Sequence, residues 1–258
     1  MTFNFLMLFV AAFIGGAMNA VAGGGSFFSF PALLFVGLDP KIANATNTVA
    51  LWPGSAASVG AYRRELHNQR DAARLLAGVS LGGGLLGALL LLVTPSDVFR
   101  LLLPYLMLCA TLLFAFSPRI NQYVRHLDVR RSADNSQTSA SAARRRSLLL
   151  QGLISIYGGF FGGGIGILML ATLALMGIED MHEMNALKTL LATLINGIAV
   201  LAFVIAGAVA WPEALVMAVA AIAGGYGGAA LARRIEARHV RTFVMVVGFV
   251  ISAYLFVR

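Results

Sequence analysis

Residues 13–48 read FIGGAMNAVAGGGSFFSFPALLFVGLDPKIANATNT. The stretch is apolar on both sides of Gly23-Gly24-Gly25, turns at Gly37 and Pro40, and then enters a run of Asn and Thr. Three successive glycines interrupt a helix, because each adds backbone freedom and no side chain to pack. The piece after the break, residues 26–37, is near 18 Å long as a helix at about 1.5 Å per residue. A hydrocarbon core is about 30 Å thick, so that piece cannot cross it without tilt or thinning. Irregular backbone at membrane depth is tolerated only inside protein or beside a water-filled cavity. The stretch therefore predicts a helical membrane protein with a broken segment buried in it.

The composition points the same way. Of 258 residues, 59% are hydrophobic and 12% charged, with a mean hydropathy of +0.83. Soluble domains carry about twice that charged fraction, so too little polar surface remains to coat a globule. The apolar runs are long and do not alternate, which favours helices over a barrel. The net charge of +8 does not indicate nucleic acid. Almost every Arg lies in a short connection between apolar runs, as the positive-inside rule expects. Cys109 is the only cysteine, which excludes an intrachain disulfide and a cysteine metal cluster. It sits in an apolar run and is expected to be a small packing residue. The N-terminus has no Lys or Arg before its apolar stretch and reads as a first membrane segment rather than a signal peptide.

Five apolar segments are expected over residues 3–22, 26–37, 42–62, 72–93 and 98–116. A polar, Arg-rich stretch follows at 117–147, with the composition of a flexible linker. The pattern then recurs over 148–161, 165–177, 184–206, 212–231 and 240–257. Gly23-Gly24-Gly25 matches Gly162-Gly163-Gly164, and Asn44-Ala45 with Thr48 matches Asn185-Ala186 with Thr189. Gly83-Gly84 and Gly87 match Gly224-Gly225 and Gly228. The chain thus divides into a first transmembrane repeat at 1–116, a basic linker at 117–147 and a second repeat at 148–258. Basic residues gather in the connection at Arg63, Arg64 and Arg70, in the linker, and in the connection from Arg233 to Arg241. If all three are cytoplasmic, each repeat crosses an odd number of times and the halves are inverted. The expected fold class is an all-α polytopic membrane protein of two inverted repeats, about five helical segments each. The first two segments of each repeat are short or broken at the Gly-rich turn, and such paired breaks point to a transport site.

Two constellations carry the candidate chemistry. Gly23, Gly24, Gly25 and Ser26 lead into one helix start, and Gly162, Gly163 and Gly164 into another. Helix N-termini that a ligand can approach closely suit an anion, although the same glycines would also serve close helix packing. Asn44, Asn47 and Thr48 share one helical face, as do Asn185, Lys188 and Thr189. Lys188 is one of two lysines, the other being Lys41 in a loop. Two readings fit it: a fixed positive charge for an anionic substrate, or a side chain that snorkels to the interface.

Catalytic readings fare poorly. The four histidines lie in polar connections, and there is no HExxH and no Walker A motif. Asp71, Glu213, Asp180 and Glu183 sit where helix N-termini are expected and read as capping groups. No catalytic residue, metal site or cofactor is expected. A secondary transporter of a small anion fits the two related polar points. A passive anion channel would favour a continuous polar stripe, and a membrane enzyme or assembly factor without flux is the remaining alternative.

The run over 13–48 resembles the signature of the TauE/SafE family of sulfite-exporter-like permeases. The resemblance rests on Gly23-Gly24-Gly25, Pro31 with Leu33, Gly37 with Pro40, and Ala43 to Thr46. Residues 158–189, GGFFGGGIGILMLATLALMGIEDMHEMNALKT, are similar to the family's second repeat, without equivalents of Pro31 and Pro40. The resemblance implies a multi-pass transporter of the inner (cytoplasmic) membrane. Its implied substrate is sulfite, sulfoacetate or another small sulfur-containing anion, moved by alternating access and coupled to a proton or cation gradient. The expected partners are the bilayer, the anion and the coupling ion, with no nucleic acid.

Overall fold

The computed structural model describes residues 2–21, 24–131, 137–176, 178, 180–232 and 237–257. Among them the chain forms eleven α-helices and no strand. Six come first: α1 (Thr2–Val21), α2 (Ser26–Phe35), α3 (Pro40–Val59), α4 (Arg63–Asn68), α5 (Arg70–Val93) and α6 (Ser96–Arg131). Then come α7 (Gln137–Phe160), α8 (Ile165–Leu175), α9 (Met181–Ile205), α10 (Trp211–Ala232) and α11 (Ala237–Val257). All ten expected apolar segments are helical. The short basic helix α4, after a 3-10 turn at Gly60–Tyr62, is an addition.

Four stretches are long and apolar enough to cross a membrane: Thr2–Asn19, Arg70–Val93, Ser96–Ser117 and Met181–Ile205. Their outward faces carry large apolar side chains, unlike those of a soluble protein. On α5 the inward face carries the small residues Ala73, Ser80, Gly84, Gly87 and Ala88 beside Leu76 and Leu91, and Leu81, Leu85, Leu86, Leu89, Leu90 and Val93 face outward. Water would expel such a leucine surface, whereas lipid accepts it, and small inward residues let backbones approach. The protein is a multi-pass, all-α membrane protein.

Helix ends are set by local chemistry. Asp39 accepts from the Lys41 amide at 3.0 Å to cap α3, with Pro40 at its first position. Asp180 caps α9 by accepting from the His182 and Glu183 amides, the role expected of it. Lys41, expected in a loop, lies in the first turn of α3. Its ammonium donates to the Leu92 and Thr94 carbonyls at 3.1 and 3.0 Å, satisfying the free end of α5. Cys109, expected to pack internally, is exposed on α6 instead. Helix also reaches into the segment expected to be a flexible linker, through Arg131 from one side and from Gln137 on the other. Ala, Gln and Arg in that stretch are good helix formers, which composition alone hid behind its Ser content.

The packing pairs exchange between the halves. Helix α1 packs on α10 as α7 packs on α5, and α10 packs on α3 as α5 packs on α9. Likewise α1·α2 mirrors α7·α8, α2·α3 mirrors α8·α9, and α11·α2 mirrors α6·α8. Helices α3 and α9 meet each other, as do α6 and α11. At the α3–α9 meeting the Trp52 indole donates to the Thr193 carbonyl at 3.0 Å. Those two residues are equivalent in the sequence repeat.

Candidate functional site

Both glycine breaks need glycine, but for different reasons at each position. Gly24 has φ +89°, and Gly162 and Gly164 have φ +83° and +78°, a region that L side chains rarely adopt. Gly25 lies backbone to backbone against Gly15 of α1, so this glycine serves close packing. Gly163 has ordinary φ but is closed in by the Phe161 ring and the Ala110 Cβ, 2.8 and 3.1 Å from where its own Cβ would stand. Gly23 lies outside the described residues.

The two breaks meet at one cavity. It is lined by Ser26, Phe27 and Phe30 from α2, Asn44 and Asn47 from α3, Met107 and Ala110 from α6, and Phe161 and Gly163 from the second break. Phe30 and Phe161 stand edge to face with ring centroids 5.9 Å apart, which joins the first broken helix to the second break. The free space is about 10 Å³ for the centre of a water-sized sphere, room for a single water. An oxyanion needs several times that space, so occupancy requires the lining helices to part.

The polar groups on this cavity are tethered. Asn47, 4% exposed, donates to Ser26 Oγ at 3.3 Å and accepts from the Ser29 hydroxyl. Asn44, 2% exposed, donates to the Phe160 carbonyl at 3.0 Å, the last residue of α7. One side chain of the first half thus holds the lip of the second break. No carboxylate lines the cavity. Its amides and hydroxyl are neutral donors, which replace part of an anion's hydration shell without a covalent step.

The second constellation forms apart from the first. Lys188 donates to Asn185 Oδ1 at 2.9 Å, and its methylene stem lies along Gly166 at the start of α8. Asn185 in turn donates to the Met181 carbonyl, and the Thr189 hydroxyl to the Asn185 carbonyl at 2.7 Å. Thr48 makes the same backbone bond to Asn44 at 2.9 Å. Neither Lys188 nor Thr48 lines the cavity. Of the predicted residues, Ser26, Asn44, Asn47 and Gly163 are brought together. Asn185 and Thr189 bond within the head of α9, and Lys188 reaches α8 through its stem on Gly166. Sequence reasoning missed Phe27, Phe30, Met107, Ala110 and Phe161, because an apolar wall residue in an apolar segment carries no distinguishing pattern.

Comparison with known proteins adds independent information. The chain is 30% identical to a probable membrane transporter protein of a Sinorhizobium species, covering 95% of this chain and 89% of that one. It is 28% identical to a probable membrane transporter protein of Haemophilus influenzae, covering 96% and 92%. It is 30% identical to the probable membrane transporter protein YfcA of Escherichia coli, covering 96% and 88%. No solved structure matches the chain significantly. The family model described as Sulfite exporter TauE/SafE matches residues 8–255. That is a family of transporters and not of catalysts, and the chain described here, a multi-pass helical protein with two glycine-broken segments, belongs to it.

Proposed function

We propose that this protein is a secondary transporter that carries a small anion across the inner membrane by alternating access. The observation that supports this most directly is the convergence of Ser26 and Gly163, one from each glycine break, on a single cavity. Broken segments in corresponding positions of two halves are where secondary transporters bind substrate. The exchanged packing pairs support a two-fold relation between residues 1–116 and 148–258 across the linker, and the basic connections support inverted halves. Ser26, Asn44, Asn47 and Gly163 contact the anion, with Gly24, Gly25, Gly162 and Gly164 shaping the turns. Thr48, Asn185 and Thr189 support the helix heads, and Lys188 supplies positive potential from outside the wall. Neutral donors in a tight site suit a small oxyanion, and the family description makes sulfite and related sulfur anions the first candidates. The cavity's small size supports a carrier over an open pore, because the substrate space must form and close during transport.

The test is uptake of radiolabelled sulfite, sulfoacetate, sulfate and acetate into proteoliposomes, with and without unlabelled anion inside. A carrier shows saturable uptake of one class, accelerated by the same anion on the far side. Gly163→Leu places a side chain where Phe161 and Ala110 already stand, and should abolish uptake while the protein still inserts. Linear, unaccelerated flux would mean a channel. No flux with any member of the panel would sink the anion reading.

A further inference from the structure

The second break holds a group that anion contact does not use. Asn196 lies in the middle of α9, within a membrane-crossing stretch, and is the repeat equivalent of Ser55. Its side-chain amide forms no hydrogen bond among the described residues. An unbonded amide at that depth is costly, which marks it for a ligand or a water-filled space. One turn earlier, Thr193 Oγ1 is buried with no partner. The Asn196 side chain points at Gly162. The position of a Gly162 Cβ would be bounded, outside its chain neighbours, by the Gly158 carbonyl oxygen at 3.2 Å and Asn196 Oδ1 at 3.9 Å.

The backbone there offers oxygens too. Both the Phe161 and Gly162 amides donate to the Tyr157 carbonyl, at 2.9 and 3.2 Å. The Gly162 amide therefore does not return to Gly158, whose carbonyl loses its ordinary helical donor. That carbonyl belongs to the last turn of α7, where the helix dipole places about half a negative charge. Oxygens at the C-terminal end of a broken membrane helix coordinate cations, while the N-terminal end of the next piece faces anions. The residues of α3 equivalent to Asn196 and Thr193 are engaged otherwise. Ser55 donates to the Leu51 carbonyl at 3.4 Å, and Trp52 donates to the Thr193 carbonyl.

We propose that the Gly158 carbonyl and Asn196 Oδ1 form the core of a site for one monovalent cation of the sodium class, at the C-terminal end of α7. No carboxylate is among these ligands, so a divalent ion is not matched in charge, and neutral oxygens suit a small hard monovalent one. Gly162 is required because any side chain would fill the ion's place. Gly163, the next residue, lines the anion cavity, so the cation and the anion would bind on adjacent residues. Their attraction at low dielectric would make each bind better with the other present. This coupling rests on the anion-transport reading, and the cation site itself does not.

The experiment uses purified full-length protein, its thermal unfolding measured in sodium, potassium and N-methylglucamine chloride at equal ionic strength. Sulfite uptake is then measured under each gradient. Sodium should raise Tm by several degrees once it is about a hundredfold above its Kd. Asn196→Leu, which keeps the branched shape and removes the oxygen, should fold with the potassium Tm of wild type and lose the sodium increment. Asn196→Asp should bind sodium more tightly, and Ser55→Ala should keep the wild-type increment. Sodium-driven uptake lost in Asn196→Leu supports the coupling. No sodium increment in wild type, or one undiminished in Asn196→Leu, overturns the site. Uptake equal in sodium and potassium overturns the coupling. Absence of anion uptake under every gradient, with the sodium increment intact and lost in Asn196→Leu, would uphold the site and sink the transport reading instead.

Discussion

Lys188 shows how far a single residue can be read in advance. Its rarity in an apolar segment was visible in the sequence, and so was its place on one face with Asn185 and Thr189. What its ammonium touches was not visible. The structure gives it Asn185 Oδ1 as a partner and Gly166 as a bed for its stem, outside the lining of the cavity. Removing one partner of a buried charge pair costs about 2–5 kcal/mol. A charge that acts from behind the wall should fall at the low end, so Lys188→Met is expected to weaken sulfite binding by about 2 kcal/mol, near thirtyfold in Kd. Lys188→Arg should recover part of it, since the charge survives with altered geometry. Isothermal titration of both variants against wild type, at matched Tm, measures this. Unchanged affinity in the Met variant would return Lys188 to a snorkelling role. Cys109 carries the opposite lesson: a small residue in an apolar run can face lipid as readily as a neighbour, and only packing decides.

Glycine decides how the helices pair. The repeated Gly83-Gly84 and Gly87 on α5 were legible as a duplicated motif, but their partner was not. Gly87 stands against the Ile156 backbone and Gly83 against Ser155 and the Gly152 carbonyl, all on α7. In the other half Gly224 of α10 stands against the Phe13 backbone of α1. The Gln151 amide fastens the first seam by donating to Ser80 Oγ at 2.9 Å. A side chain at Gly87 or Gly224 would collide with backbone, which cannot rotate away. Overpacking of this kind costs about 1–3 kcal/mol or more. Gly87→Leu and Gly224→Leu should therefore lower Tm in detergent by several degrees or prevent assembly, and should do so to a similar extent. Gly78→Leu on α5 meets nothing within 4 Å and should be tolerated. Equal stability of all three variants would remove the seams from the account of the fold. The short lengths of α2 and α8 were likewise foreseeable from the glycines and Pro40, because turn chemistry is local.

At the scale of the whole molecule, the two halves present one question of orientation. The exchanged contacts are those that a two-fold relation between the halves would give, and the proposal drawn from the charge pattern is that its axis lies in the membrane plane. Reporter fusions at His67, in the segment near residue 135 and at residue 238 should all report the cytoplasm. A periplasmic signal at residue 238 beside a cytoplasmic one near 135 would break the inverted arrangement. The membrane class, the ten apolar helices and the two glycine breaks could be read from the sequence. Each of these follows from composition, period or local backbone chemistry, which act within a few residues. That Ser26 and Gly163 share a cavity, that Lys188 stands outside it, and that Asn196 lies beside Gly162 emerge from helix packing. Those placements depend on which helix lies against which, across separations of more than a hundred residues. In lipid the leucine faces are interchangeable, so they do not select a partner, and backbone approach at small residues does.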